Sequence, residues 1–159
     1  MKAKTVQESS ITLSHVFMPA DANARGNVHG GVIMKHIDNA GAIVAIRHCR
    51  SYVVTASIDR LDFHKPAFIG ELLILKASLN QVGRTSMEVG VRAETENLRT
   101  GETKHIASAY LTLVAIDDNN KPVEVPPLTL VTDEDKRRNC EAIERRKVRL
   151  TERQKDEVC

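Results

Sequence analysis

The feature that most constrains this chain is a change in the spacing of its apolar residues near residue 50. From about residue 30 to 49 they recur with a helical period, which places Ile33, Ile37, Ala40, Gly41 and Val44 on one face. Further small and branched residues extend the apolar surface almost around this segment, as is typical of a buried helix. From residue 52 onward the period becomes two, which is the spacing of strands that bury one face.

Five segments have the pattern of strands. One precedes the helix and four follow it, at residues 10–18, 53–63, 72–82, 87–93 and 106–116. No connection is long enough for a second helix, so the strands are expected to be antiparallel. The predicted class is α+β, with one long central helix packed on a curled five-stranded antiparallel sheet. Such a sheet leaves an edge strand and a helix face to be covered, which predicts a dimer.

The composition changes after Pro126 and Pro127. We therefore predict a domain at residues 8–128 and a charged helical tail at 129–159, where residues 133–159 hold nine Lys or Arg and eight Asp or Glu. Thr132 and Asp135 have the spacing of a capping box that begins a helix over 133–155. We interpret this helix as a solvated surface element, and packing across a subunit interface is the alternative.

Composition also narrows the possible functions. The 159 residues are 42% hydrophobic, which suits one domain with a real core. A net charge of +2 does not support nucleic-acid binding, and no apolar run reaches the roughly 20 residues of a membrane span. The polar N-terminus does not resemble a signal peptide. Cys49, Cys140 and Cys159 lack the spacing of a metal site, so we expect free thiols, a cytoplasmic location and no metal.

A glycine-rich segment leading into the long helix is the first candidate for chemistry. It reads Gly26-Asn27-Val28-His29-Gly30-Gly31. A helix N-terminus presents unpaired N–H groups and the positive end of the helix dipole, and glycine lets a ligand approach closely. This arrangement suits a phosphate, or a carbonyl oxygen that becomes negative in a transition state. A tight loop that binds nothing is the alternative.

Asp38 is the second candidate because it borders the apolar stripe of the helix. Desolvation there would make its carboxylate a stronger general base or nucleophile, whereas the plainer interpretation is a surface ion pair with Lys35. Asp38 lies eight residues from Gly30, roughly 12 Å along a helix axis. A reacting carbonyl needs its oxyanion donor and its base each within ~3 Å. If both groups act, Asp38 serves the helix start of a partner subunit.

Together these residues resemble the cytosolic acyl-CoA hydrolases, which include the brain-type enzyme and its single-domain bacterial relatives. The resemblance covers about residues 10–130 and rests on a spaced block of motifs: Met18-Pro19, Asp21-Ala22-Asn23, the Gly26–Gly31 segment, Asp38, Arg47-His48-Cys49, Val54-Thr55-Ala56-Ser57, Asp62-Phe63, Ser86-Met87-Glu88 and Val125-Pro126. It implies the hotdog fold and the hydrolysis of acyl-CoA to fatty acid and coenzyme A. It also implies a homo-oligomer, commonly a trimer of dimers.

The resemblance further implies the site residues. Asn23 from one subunit and Asp38 from another are the expected catalytic pair, with Gly30 or Gly31 polarising the thioester carbonyl through a backbone N–H. Coenzyme A phosphates are expected near the turn that contains Arg84, Thr85 and Ser86, and no other cofactor is required. An enoyl-CoA hydratase or dehydratase of the same fold, using His29, and a CoA or nucleotide sensor without turnover are the alternatives. Whether Asp38 acts as base or nucleophile stays open.

Overall fold

The computed structural model describes residues 1–156. In chain order its elements are β1 (Lys4–Thr5), α1 (Val6–Ser9), β2 (Ile11–Val16), a 3-10 turn (Pro19–Asp21), α2 (Gly30–Cys49), β3 (Tyr52–Phe63), β4 (Leu72–Val82), β5 (Ser86–Glu96), β6 (Thr103–Ile116), β7 (Leu128–Thr129) and α3 (Asp133–Asp156). The five long strands form one antiparallel sheet in the order β2-β4-β5-β6-β3. Strands β1 and β7 pair in parallel as a separate small sheet.

Helix α2 begins and ends with local signals. His29 caps its start, because the ring Nδ1 accepts the N–H of Gly31 at 3.1 Å. At its end Arg50 adopts a left-handed conformation with φ 57°, and its N–H donates to the carbonyl of Ile46 at 2.8 Å. The helix therefore has the length that the apolar period predicted.

The core lies between α2 and the inner face of the sheet. Ile37, Ala40, Val44 and Ala45 are fully buried there. A side chain at Gly41 would begin 3.3 Å from Leu111 of β6, so glycine allows the helix to approach the sheet closely. Ala40, Gly41 and Ala45, the small residues of α2, are buried against the sheet of their own chain.

Helix α3 lies on the outer face of the same sheet. The predicted capping box is present, with Asp135 N–H donating to Thr132 Oγ1 and Thr132 N–H to Asp135 Oδ2, both at 3.0 Å. Arg145 forms a 2.7 Å ion pair with Glu88 of β5, whose side chain is almost fully buried. Ala142 is completely buried. One side of this helix is thus packed rather than solvated, which its thin apolar content did not indicate.

The sequence pattern did not reveal the small elements near the N-terminus. The short helix α1 and the β1–β7 pair were not predicted, because their pairing depends on contacts between distant segments, such as Lys4 N–H with the carbonyl of Pro127 at 3.0 Å.

No helix within residues 1–156 is long and apolar enough to cross a membrane. Cys49 and Cys140 are free thiols, and Cys159 lies outside the described residues. The domain boundary at residue 128 stays a prediction.

Candidate active site

A tight loop before α2 holds Asn23 at the rim of a cleft. The side-chain oxygen of Asn23 accepts the N–H groups of Arg25 at 2.9 Å and Asn27 at 3.2 Å. Gly26 within this loop has φ 83°, a left-handed conformation that favours glycine. Because both partners of the oxygen are donors, the side-chain NH₂ group of Asn23 is the part that can donate to a ligand.

The cleft beside this loop has a volume of about 330 Å³. Asn23, Gly30, Phe63, His64 and Lys65 are among its lining residues, so the cleft joins the loop, the start of α2 and the end of β3. A side chain at Gly30 would begin 3.6 Å from the Phe63 ring. The structure thus brings the predicted residues Asn23 and Gly30 together at one cleft, to which β3 also contributes, as the sequence did not indicate.

The two glycines at the start of α2 differ in their hydrogen bonding. The Gly31 N–H is occupied, since it donates to His29 Nδ1 at 3.1 Å. The Gly30 N–H finds no backbone or side-chain acceptor among residues 1–156. Gly30 thus provides the unpaired donor at the positive end of a 20-residue helix.

Asp38 lies outside this cleft, on a different side of α2 from the core residues. It shares a stripe with Met34 and Ile46, which are 41% and 42% exposed. Its carboxylate accepts the hydroxyl of Thr55 from β3 at 2.7 Å. The ion pair with Lys35, which was the alternative interpretation, is absent among the described residues, where the partner of Asp38 is this threonine. One chain therefore does not bring Asp38 to Gly30.

Thr55 contacts the candidate residue Asp38, and sequence reasoning did not single it out. It belongs to the Val54-Thr55-Ala56-Ser57 motif, to which the resemblance assigns no role. Its hydroxyl donates to Asp38 Oδ1, so it can hold the carboxylate in one orientation. Asp38 and Thr55 are 17 residues apart and belong to different elements, so no local pattern reveals the contact.

The turn between β4 and β5 holds the three residues predicted to bind coenzyme A. It is closed by Gly83 N–H donating to the Ser86 carbonyl at 2.8 Å. The carbonyls of Arg84 and Thr85 accept N–H groups from Val125 at 3.0 Å and Ala115 at 2.9 Å. The Arg84 side chain is exposed. The turn is consequently held at a defined place, with a guanidinium group directed away from the core.

Histidines cluster near the start of α2 without forming a metal site. The rings of His15 and His36 lie 4.2 Å apart, and burial, followed by the charge of His15, lowers the pKa of His36. A backbone hydrogen bond from Met18 lowers the pKa of Asp21 nearby. Within residues 1–156 no group of three or more His, Cys, Asp or Glu could hold a metal ion.

Comparison with known proteins identifies the family. The pattern of the Thioesterase superfamily matches residues 25–102. An uncharacterized acyl-CoA thioester hydrolase of Bacillus subtilis is 40% identical over 129 residues, which cover 81% of this chain and 75% of the relative. The chain belongs to the thioesterase superfamily. This thioesterase-superfamily chain is also 35% identical to the cytosolic acyl coenzyme A thioester hydrolase of Rattus norvegicus, over 84% of the chain but 36% of that longer protein.

Solved structures of thioesterases share the architecture. An apo-hexameric acyl-CoA thioesterase superposes with a TM-score of 0.91 at 38% identity, over 96% of this chain and 97% of that one. The acyl-CoA hydrolase of Staphylococcus aureus, in complex with butyryl coenzyme A, coenzyme A and coenzyme A disulfide, gives 0.89 at 34% identity, over 98% and 94%. The predicted hotdog fold of this superfamily member is confirmed.

The Staphylococcus aureus enzyme also offers a match in spacing. Its structures include variants in which one asparagine, one aspartate or one threonine is replaced by alanine. Those three residues follow one another at intervals of 15 and 17 positions. Asn23, Asp38 and Thr55 of this thioesterase-superfamily chain have the same intervals.

Proposed function

We propose that this protein is an acyl-CoA thioesterase that hydrolyses fatty acyl-CoA to a free fatty acid and coenzyme A, at sites shared between two subunits. The observation that carries the proposal is that one chain does not bring its own Asp38 to its own Asn23 and Gly30. Asn23 and Gly30 line one cleft, whereas Asp38 lies on the exposed stripe of α2, hydrogen-bonded to Thr55. The acyl-CoA hydrolase of Staphylococcus aureus, which has an Asn, an Asp and a Thr at the same intervals, supports this choice.

The surface around Asp38 is suited to a second copy of the chain. Met34 and Ile46 on α2 and Tyr52 and Val54 on β3 are between 41% and 68% exposed. Strand β3 is also an edge of the sheet, with unpaired backbone groups along one side. A partner related by a two-fold axis would cover both features and place its α2 antiparallel to this one. Its Asp38 would then face the Gly30 of this chain, and a trimer of such dimers would match the hexameric relatives.

In the proposed reaction the thioester carbonyl accepts the free N–H of Gly30. Asp38 of the partner removes a proton from water, whose oxygen attacks the carbonyl carbon. The resulting oxyanion is stabilised by the Gly30 N–H and by the dipole of α2. When the carbon–sulfur bond breaks, the coenzyme A sulfur takes the proton from Asp38. Direct attack by Asp38, giving a mixed anhydride that water then hydrolyses, uses the same groups.

The remaining residues have supporting roles in this proposal. The NH₂ group of Asn23 orients the water or the acyl group, and Thr55 orients Asp38. Gly31 acts through the helix cap that its N–H forms with His29. Arg84, Thr85 and Ser86 bind coenzyme A phosphates. Since no step needs another cofactor, coenzyme A enters only as part of substrate and product. The proposed location is the cytoplasm, as for the rat relative named cytosolic.

The two alternative functions fit the same residues less well. A hydratase would need His29 as an acid–base group, but its Nδ1 caps α2 through Gly31. A sensor without turnover would not need a carboxylate held at 2.7 Å by a threonine on an apolar surface. Free-thiol release from acetyl-CoA and palmitoyl-CoA, measured with purified protein, tests hydrolysis directly and gives the acyl-length preference.

Mixed oligomers test the shared site. Asp38→Asn alone is expected to lower kcat by at least ~100-fold, whereas Asn39→Ala, the exposed neighbour on α2, should leave it unchanged. Co-expressed Asn23→Ala and Asp38→Ala chains form about half heterodimers, and each heterodimer has one intact site. Activity should return to roughly a quarter of wild type. Heterodimers confirmed by mass spectrometry but no more active than their parents would show that each site lies within one chain.

A further inference from the structure

Helix α3 brings one arginine to the turn that joins β4 and β5. A Cβ atom at Gly83 would lie 3.1 Å from Nη1 and 3.4 Å from Nη2 of Arg146. The same point is 3.1 Å from the hydroxyl oxygen of Ser86. The absence of a side chain at Gly83 therefore lets the Arg146 guanidinium lie directly beside the turn, next to Ser86.

Ion pairs on both sides of Arg146 hold this part of α3 in place. The preceding residue, Arg145, pairs with Glu88 at 2.7 Å and stacks 3.7 Å above the ring of Tyr110. One turn later Arg149 pairs with Asp59, which is on β3. Glu88 is only 1% exposed, so the first pair is well shielded from water. The backbone of α3 is thus anchored where Arg146 projects toward Gly83.

Among residues 1–156 Arg146 has no acidic partner. Arg137, Arg138, Arg145 and Arg149 of the same helix each lie within 4.0 Å of a carboxylate. Within residues 1–156 the side chain of Arg146 forms no such pair and no hydrogen bond, although the residue is half-buried. A half-buried guanidinium with free N–H groups beside a hydroxyl suits a bound phosphate, which it can contact through two parallel hydrogen bonds.

The register of the sheet relates this turn to Asp38. Ser86 pairs with Val114 of β6, and Val114 pairs with Val54 of β3. The turn is therefore two strands, roughly 10 Å, from the part of β3 where Thr55 holds Asp38. A substrate whose acyl group reaches Asp38 can therefore extend across the ends of β3, β6 and β5, so that its other end reaches the turn.

We propose that Arg146 binds a phosphate of the coenzyme A portion of the substrate, together with Arg84 and Ser86, so that the C-terminal helix is part of the substrate site. This inference rests on the proposed thioesterase function. It assigns α3 a role in recognising the nucleotide end of the substrate, in addition to its packing on the sheet.

Two substrates separate phosphate binding from general damage. Arg146→Ala should raise KM for an acyl-CoA by at least ~10-fold, because charge-assisted hydrogen bonds are lost. The same acyl thioester of pantetheine lacks the nucleotide and its phosphates, and its kcat/KM should be unchanged. Arg146→Lys should fall between Arg146→Ala and wild type. Lys147→Ala is the matched control, since it removes an equal charge from the next residue, whose partner is Glu144.

Calorimetric titration of coenzyme A into wild type and Arg146→Ala tests the inference independently of turnover. Binding at least ~10-fold weaker in the variant, at unchanged oligomer size, supports it. Equal loss of activity on both thioesters would assign Arg146 a structural role, and unchanged KM and binding would remove it from the site. If wild type hydrolysed neither thioester, the thioesterase proposal would fail, and the titration alone would still decide whether Arg146 binds coenzyme A.

Discussion

The two faces of the sheet are covered by helices of opposite character. The inner face packs against α2 through apolar side chains such as Leu111 and Val89, both fully buried. The outer face carries polar residues, and α3 is held there by charges, with Glu88 as the most deeply buried. Burial of apolar area tolerates small shifts, whereas a buried ion pair needs both partners in place. The two faces should therefore respond differently to substitution.

Truncation on the inner face should have the largest effect. Leu111→Ala removes a side chain that contacts α2 at Gly41, and we expect a loss of about 3 kcal/mol in the free energy of unfolding. Thr112→Ala is the outer-face control. Its hydroxyl has no hydrogen-bond partner within residues 1–156, so its change should stay below about 1 kcal/mol. Denaturant unfolding at one fixed protein concentration measures both, and equal losses would contradict the contrast.

The ion pair beneath α3 should be sensitive to the loss of one partner. Glu88→Ala leaves the Arg145 guanidinium partly buried without its carboxylate, and we expect about 2 kcal/mol of destabilisation. Replacing both partners, Glu88→Met with Arg145→Met, should restore most of it, because two apolar side chains need no pairing. Urea unfolding of the single and double variants distinguishes these cases. A double variant less stable than Glu88→Ala would argue against this account.

The buried histidine His48 makes the stability of the fold depend on pH. Burial lowers the pKa of His48, whose Nε2 lies 2.8 Å from the Pro126 carbonyl. The His48 ring is therefore protonated more readily in the unfolded chain than in the folded one. Neutral His48 stabilises the fold above its ordinary pKa of 6.5, and this stabilisation is lost as the pH falls below that value. Burial also lowers the pKa of His36, which has the same effect on stability.

His48→Gln should reduce this pH dependence, because glutamine can donate to the same carbonyl without titrating. Thermal unfolding of wild type and His48→Gln at about pH 7.5 and 5.5 measures it. The wild type is expected to lose more stability on acidification than the variant. An equal loss in both would exclude His48 as a source of the pH dependence.

The smallest effect is expected at Gly90 on the outer face. A Cβ atom there would lie 2.8 Å from Nδ2 of Asn80, which donates to Glu88 at 3.2 Å. Gly90→Ala should move the flexible end of Asn80 and weaken that hydrogen bond, at a cost of about 1 kcal/mol or less. Combining Gly90→Ala with Asn80→Ala tests the cause, since the second substitution should remove most of the effect of the first.

The predictability of the two faces also differs. The extent of α2 and the existence of the five long strands followed from apolar periods, which are local properties of the sequence. The contact of Arg145 with Glu88 joins residues 57 positions apart, and the local sequence around neither residue predicts it. The same holds for Thr55 and Asp38. Asn23 and Gly30 could be grouped because they are seven positions apart in the sequence, whereas the roles assigned to them and to Asp38 stay predictions.

The uncovered edge of β3 has a consequence for synthesis of the protein in the cell. A newly released chain presents a 12-residue strand edge together with Tyr52, Val54 and Phe63, each at least 46% exposed. Such an edge can pair with any extended segment, including an unfolded one. Subunits produced faster than they meet a partner are therefore exposed to aggregation and proteolysis, so the yield of folded protein should depend on the rate of translation.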